Sequence, residues 1–116
     1  MEIRLIVIRT NDQKRLADFY ALLGLTFDYH QHGNSPLHYS ATIGTMVLEI
    51  YPLKKSQTAA DTSLRLGFAI DNFEETLEIL SKNDIAFSAP ILTEFGFLTV
   101  ISDPDGRKIE LYKKNH

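Results

Sequence analysis

Ser102-Asp103-Pro104-Asp105-Gly106-Arg107-Lys108-Ile109-Glu110-Leu111 is the stretch from which the fold can be read. Its Asp-Pro-Asp-Gly core is turn chemistry. Proline presets φ, aspartate side chains bond nearby backbone N–H groups, and glycine admits a positive φ. The turn feeds a last strand, Lys108–Tyr112, in which one carboxylate, Glu110, stands among apolar neighbours. Roughly sixty residues earlier, Val47-Leu48-Glu49-Ile50-Tyr51 sets a glutamate into a strand in the same way. Two isolated strand carboxylates at matching places point to a site built across an internal duplication.

The flanking sequence supports the duplication. Ile3 to Thr10 is an aliphatic, β-branched run and reads as a strand buried on both faces. Asn11 or Asp12 caps a helix whose apolar stripe is Leu16, Phe19, Tyr20 and Leu23, and Gly24 sits where a left-handed cap is expected. Three strands follow, at about Leu25–Gln31, Leu37–Ile43 and Met46–Tyr51, separated by turns at Gly33-Asn34-Ser35-Pro36 and Gly44-Thr45. Pro52 to Ser63 is a polar linker. Then the pattern repeats: a strand Leu64–Ile70, a capping box of Asp71 with Glu74, and a helix striped by Phe73, Leu77 and Leu80. Strands near Ala86–Ser88, Phe97–Ile101 and Lys108–Tyr112 complete it. The prediction is an α+β fold, a single domain over 1–116 made of two βαβββ modules, about 1–57 and about 62–116.

Composition narrows the function. The chain has 116 residues, 44% of them hydrophobic, and a net charge of −3 with no basic stripe, so nucleic acid is excluded as an expected partner. The absence of cysteine removes disulfides, thiolate metal sites and cysteine nucleophiles. No apolar run reaches membrane-spanning length and the first residues do not form a signal peptide, so a cytoplasmic location is expected.

The two modules, the Ala17-Asp18-Phe19-Tyr20…Leu23-Gly24-Leu25 segment and the closing Asp103-Pro104-Asp105-Gly106…Ile109-Glu110-Leu111 together resemble the vicinal oxygen chelate superfamily. This group includes glyoxalase I, bleomycin-resistance proteins and extradiol dioxygenases. The resemblance covers nearly the whole chain. It implies two modules forming a partial barrel around an internal cavity, a homodimer, and a divalent metal bound through the first and fourth strands of each module. Carried over by position, the four metal-ligand positions fall on Leu5, Glu49, Arg65 and Glu110. Both glutamates match the pattern; Leu5 and Arg65 depart from it.

The departures carry chemistry. Leucine has no lone pair to offer, and a guanidinium accepts no hydrogen bond and stays charged. The expectation is therefore no cofactor and no divalent metal at this locus, with Arg65 bridging Glu49 and Glu110 where an ion would otherwise sit. Strand alternation adds Arg9, Tyr51 and Tyr112 to the ligand-binding candidates Arg65, Glu49 and Glu110, while Gly67 and Ala69 leave room on the same face or allow close packing.

His30, His32 and His38 form the rival metal-binding group. With no carboxylate at a fixed spacing and a polar turn beside them, they read as solvated strand-end histidines. His116 reads as a disordered terminus. Phe95 and Phe97 around Gly96 read as an ordinary strand start or as a lid.

Three functions compete. The first is a metal-independent binder of a small, polar or anionic molecule. The second is an enzyme: a lyase, isomerase or dioxygenase of the superfamily's kind, or a metal-free acid–base catalyst using Glu49 or Glu110. The third is a non-catalytic interaction module in which the former site is only a salt-bridge network.

Overall fold

Leu5–Thr10 extend as strand β1 in a computed structural model that describes residues 1–114. Asp12 is the N-cap of helix α1 (Gln13–Ala21), its carboxylate accepting the Arg15 backbone N–H at 3.1 Å. The helix ends in a tight turn at Leu22 and Leu23, and Gly24 follows with φ +104°, the left-handed conformation expected of it. Strands β2 (Asp28–His30), β3 (His38–Ile43) and β4 (Met46–Pro52) complete the first unit, Met1–Asp61. Its sheet runs in the order β1-β4-β3-β2, with β1 and β4 parallel and the other pairs antiparallel.

The second unit, Thr62–His116, repeats the plan. Strand β5 (Leu66–Ile70), helix α2 (Phe73–Lys82), and strands β6 (Ile91–Thr93), β7 (Gly96–Ser102) and β8 (Lys108–Lys113) form a sheet in the order β5-β8-β7-β6. The two βαβββ modules are thus present, the α+β class expected. Among the described residues no helix is long and apolar enough to cross a membrane. His116 lies outside the described residues.

Two local expectations are corrected. The short strand placed at Ala86–Ser88 forms instead at Ile91–Thr93. Ser88 still ties to β7, its N–H donating to the Val100 carbonyl at 3.1 Å and its hydroxyl accepting the Val100 N–H at 2.9 Å. Pro90 has no N–H, so a regular ladder cannot run through it, and pairing resumes beyond it at Ile91 opposite Leu98. The capping box of Asp71 with Glu74 is absent as well. Asn72 is the N-cap, without a side-chain capping bond, which places Glu74 one position too early to reach back. Both carboxylates pair with lysines beyond β8 or at its end, Asp71 with Lys114 at 3.0 Å and Glu74 with Lys113 at 2.6 Å.

Alternation divides each sheet into two faces. In the first unit Ile8, Ala41, Leu48 and Ile50 are buried with Leu16 and Tyr20 of α1. In the second, Ile101, Ile109 and Leu111 are buried with Phe73 and Leu80 of α2. Each such aliphatic side chain contributes roughly 1.5–3 kcal/mol by leaving water. Phe97 belongs to this second core, its ring 5.8 Å from that of Phe73, whereas Phe95 at the β6–β7 turn is exposed. The opposite faces, carrying Glu49 and Glu110, are not covered by the unit's own helix.

The closing turn is held by a dense set of hydrogen bonds. Asp103 Oδ1 accepts the backbone N–H groups of Asp105 (2.9 Å) and Arg107 (3.0 Å). Arg107, 1% exposed, donates from Nη1 to Asp103 at 3.1 Å and to Asp105 at 2.8 Å. Burial alone would disfavour the guanidinium charge. The hydrogen bonds that Arg107 donates to Asp105 and Asp103 outweigh it, and the net effect raises the Arg107 pKa. Gly106, at φ +99°, closes the loop in a conformation that a side chain would strain.

Candidate functional site

In the second unit, the parallel register sets Glu110 of β8 opposite Gly67 of β5, and Arg65 lies just before that strand. Arg65 Nη2 donates to Glu110 Oε2 at 2.7 Å, and the Tyr112 hydroxyl donates to Glu110 Oε1 at 2.7 Å. Both carboxylate oxygens are therefore engaged. The Tyr112 ring is held over Gly67, where a Cβ would come within 3.3 Å of its Cε1. The space expected at Gly67 is filled by this ring, so close packing is what the small residue permits. The hydrogen bond to Glu110, followed by partial removal from water, raises the Tyr112 pKa; the Glu110 charge adds to this and Arg65 opposes it. Arg65 keeps 62% of its side chain exposed, so most of its donor fork faces solvent.

In the first unit, β1 sets Val7 opposite Glu49 and Arg9 opposite Tyr51. The Arg9 guanidinium lies 5.0 Å above the Tyr51 ring centroid and donates to the Pro52 carbonyl at 3.1 Å. Glu49 is met by a histidine. His38 Nε2 stands 3.2 Å from Glu49 Oε2, with the His38 side chain fully buried and that of Glu49 12% exposed. The His38 ring also stacks on Tyr51, centroids 4.3 Å apart and planes 12° from parallel. His30 faces His38 across the β2–β3 pair, and His32 closes over both, with ring centroids 4.7 and 5.2 Å from that of His38.

The reading of these histidines as solvated strand ends is corrected by this arrangement. His32 is exposed, His30 is half-buried and His38 is buried, with a carboxylate beside it. Sequence spacing did not reveal the carboxylate because it comes from β4, through the β3–β4 register.

A family model, the Glyoxalase/Bleomycin resistance protein/Dioxygenase superfamily, matches residues 2–111. The chain belongs to this superfamily. Solved structures share its fold. TnmS3, an antibiotic binding protein from Streptomyces sp. CB03234, is 23% identical, with a TM-score of 0.79 over 97% of this chain and 95% of its own. The oxidase ChaP-H2 is 16% identical, with a TM-score of 0.80 over 100% of this chain and 95% of its own. A lactoylglutathione lyase from Agrobacterium tumefaciens is 16% identical, with a TM-score of 0.74 over 97% of this chain and 93% of its own. No curated protein matches the sequence.

Membership in the superfamily implies a divalent metal at the four strand positions, and the residues present do not fit one. Leu5, 54% exposed, has no donor atom, and Arg65 places a permanent cation on Glu110 at 2.7 Å. Of the four, only Glu49 has neighbours able to share an ion within its own unit. A groove of about 320 Å³ in the second unit lies along α2, lined by Leu77, Glu78, Ser81, Lys82 and Phe87, rather than on the Glu110 face.

Proposed function

We propose that this protein is a small-molecule-binding member of the glyoxalase/bleomycin-resistance superfamily that does not assemble the family's metal site from Leu5, Glu49, Arg65 and Glu110. It holds a polar or anionic ligand through Arg65, with Glu110 and Tyr112 fixing the arginine. The observation that carries this reading is the Arg65–Glu110–Tyr112 chain of hydrogen bonds. One bond anchors the guanidinium head, and the exposed remainder of the fork can pair with a ligand carboxylate or phosphate. Arg9, Tyr51 and Glu49 form the corresponding wall of the first unit.

The engagement of both Glu110 oxygens favours binding over acid–base catalysis at this residue, because a general base needs a free oxygen to reach substrate. The small-molecule reading is supported by its structural neighbour TnmS3, an antibiotic binding protein. A homodimer and a cytoplasmic location belong to the same proposal; light scattering on the eluted protein reads the former.

Thermal-shift measurement against small carboxylic acids and aromatic antibiotics tests the binding. Ligands that stabilise the wild-type protein are expected to lose that effect with Arg65→Ala. Stabilisation that survives the substitution removes Arg65 from its assigned part.

A further inference from the structure

We infer that the first unit carries a transition-metal site formed by His30, His32, His38 and Glu49, of which only Glu49 stands at a family metal position. Three imidazoles and one carboxylate suit zinc and its borderline neighbours better than magnesium or calcium. The site shares no residue with the Arg65–Glu110–Tyr112 chain and does not depend on the small-molecule reading.

Three observations carry it. The first is convergence. One ligand atom from each of the four residues lies within 4.8 Å of every other. A tetrahedral zinc with bonds of about 2.0–2.1 Å spaces its ligand atoms about 3.4 Å apart. The His38 Nε2 to Glu49 Oε2 separation of 3.2 Å already matches, and the wider pairs need only side-chain rotation to draw in. The backbone makes this convergence robust. His30 and His38 are directly paired across β2 and β3, and Glu49 is paired with Ser40, two residues along from His38 on the same face.

The second is unsatisfied donor capacity. His30 Nε2 and His38 Nε2 are both buried without a hydrogen-bond partner. Buried polar atoms in native structures are nearly always paired, and a metal ion would use both ring nitrogens of this cluster.

The third is the tautomer of His38. Its Nδ1 lies 2.9 Å from the Pro36 carbonyl oxygen, which can only accept, so Nδ1 carries the proton. Nε2 then faces the carboxylate of Glu49 at 3.2 Å. A positive centre, a proton on Nε2 or a metal ion, must lie between the two. A histidine whose second nitrogen donates to a backbone carbonyl is also the arrangement that fixes imidazoles as metal ligands. His32, exposed in the loop after β2, is the ligand through which an ion enters and leaves.

The test uses the full-length chain without a histidine tag, stripped with chelator and titrated with Zn²⁺ by calorimetry and with Co²⁺ by visible absorption. One ion per chain and the intense bands of tetrahedral Co²⁺ are expected. Loss of affinity of roughly tenfold or more is expected separately for His32→Ala, which touches only an exposed side chain, and for Glu49→Gln, which keeps the shape. Circular dichroism confirms that both remain folded. Arg65→Ala should bind metal like the wild type, which separates this site from the proposed ligand site. No stoichiometric uptake by the folded wild type overturns the inference, as does uptake unchanged in both variants or lost in Arg65→Ala. So does a doubly protonated His38 ring, seen by nitrogen NMR, that excess Zn²⁺ leaves unaltered.

Discussion

His38 and Glu49 face each other at 3.2 Å, Nε2 to Oε2, in the part of the first unit where the sequence had placed solvent-exposed imidazoles. The His38 ring is fully buried and stacked on Tyr51. His38→Ala should therefore lower the stability of metal-free protein by about 2–4 kcal/mol, combining a cavity with the lost stack. His32→Ala, at an exposed position, should stay within about 0.5 kcal/mol of wild type. Urea unfolding in the presence of chelator compares the two, and equal losses would contradict the burial difference.

Arg107 is the buried centre of the closing turn, bonded to both Asp103 and Asp105. Arg107→Ala leaves the buried Asp103 carboxylate without this cation and should cost about 3–5 kcal/mol in denaturant unfolding. Arg107→Lys keeps the charge but loses the planar fork, and an intermediate loss is expected. A stability unchanged by the alanine would mean that the turn is held by its backbone bonds alone.

Tyr112 gives a pH signature. Its pKa is raised from the ordinary 10.0, mainly through the hydrogen bond to Glu110, so the folded state retains this proton where the unfolded state has released it. The stability linked to this group is fully present below the unfolded value and is lost as pH rises through the folded one. The difference in phenolate absorbance between wild type and Tyr112→Phe should place the Tyr112 step above the ordinary tyrosine value in the folded protein. Tyr112→Phe should remove that late step and flatten the alkaline loss of stability relative to wild type.

Asp84 takes φ +58° after α2, the one non-glycine residue with positive φ among the described residues. The Ile85 N–H bonds the Leu80 carbonyl at 2.9 Å, which makes this a left-handed helix cap of the kind glycine favours. Asp84→Gly should stabilise the protein by about 0.5–1 kcal/mol, read as a higher urea midpoint with unchanged slope. A loss instead would show that the aspartate side chain stabilises the cap.

Much of the fold was legible because it is written locally. Turn residues at Gly44-Thr45 and Asp103–Gly106, the helix stripes, and the glutamates at positions 49 and 110 gave two βαβββ modules. Errors arose where local patterns compete. Ala86–Ser88 has strand-like residues but is cut off by Pro90, and Asp71 with Glu74 has the right spacing but the wrong starting residue for its helix.

The histidine cluster had a partial signal. A hairpin centred on the Gly33-Asn34-Ser35 turn pairs His30 with His38, as the β2–β3 register confirms. What the spacing lacked was the carboxylate, Glu49, which reaches the group only through the β3–β4 register.

The sequence by itself determined the duplicated modules, the superfamily, and the mismatch of Leu5 and Arg65 with a chelating site, because each follows from residue type and short-range periodicity. Only the tertiary structure decided the partners of the two strand glutamates: Arg65 and Tyr112 for Glu110, and His38 for Glu49. The physical reason is that alternation states which residues of one strand share a face, whereas hydrogen-bond register between strands states which side chains meet. That register is a long-range property, set by how the sheets pack their apolar faces against α1 and α2.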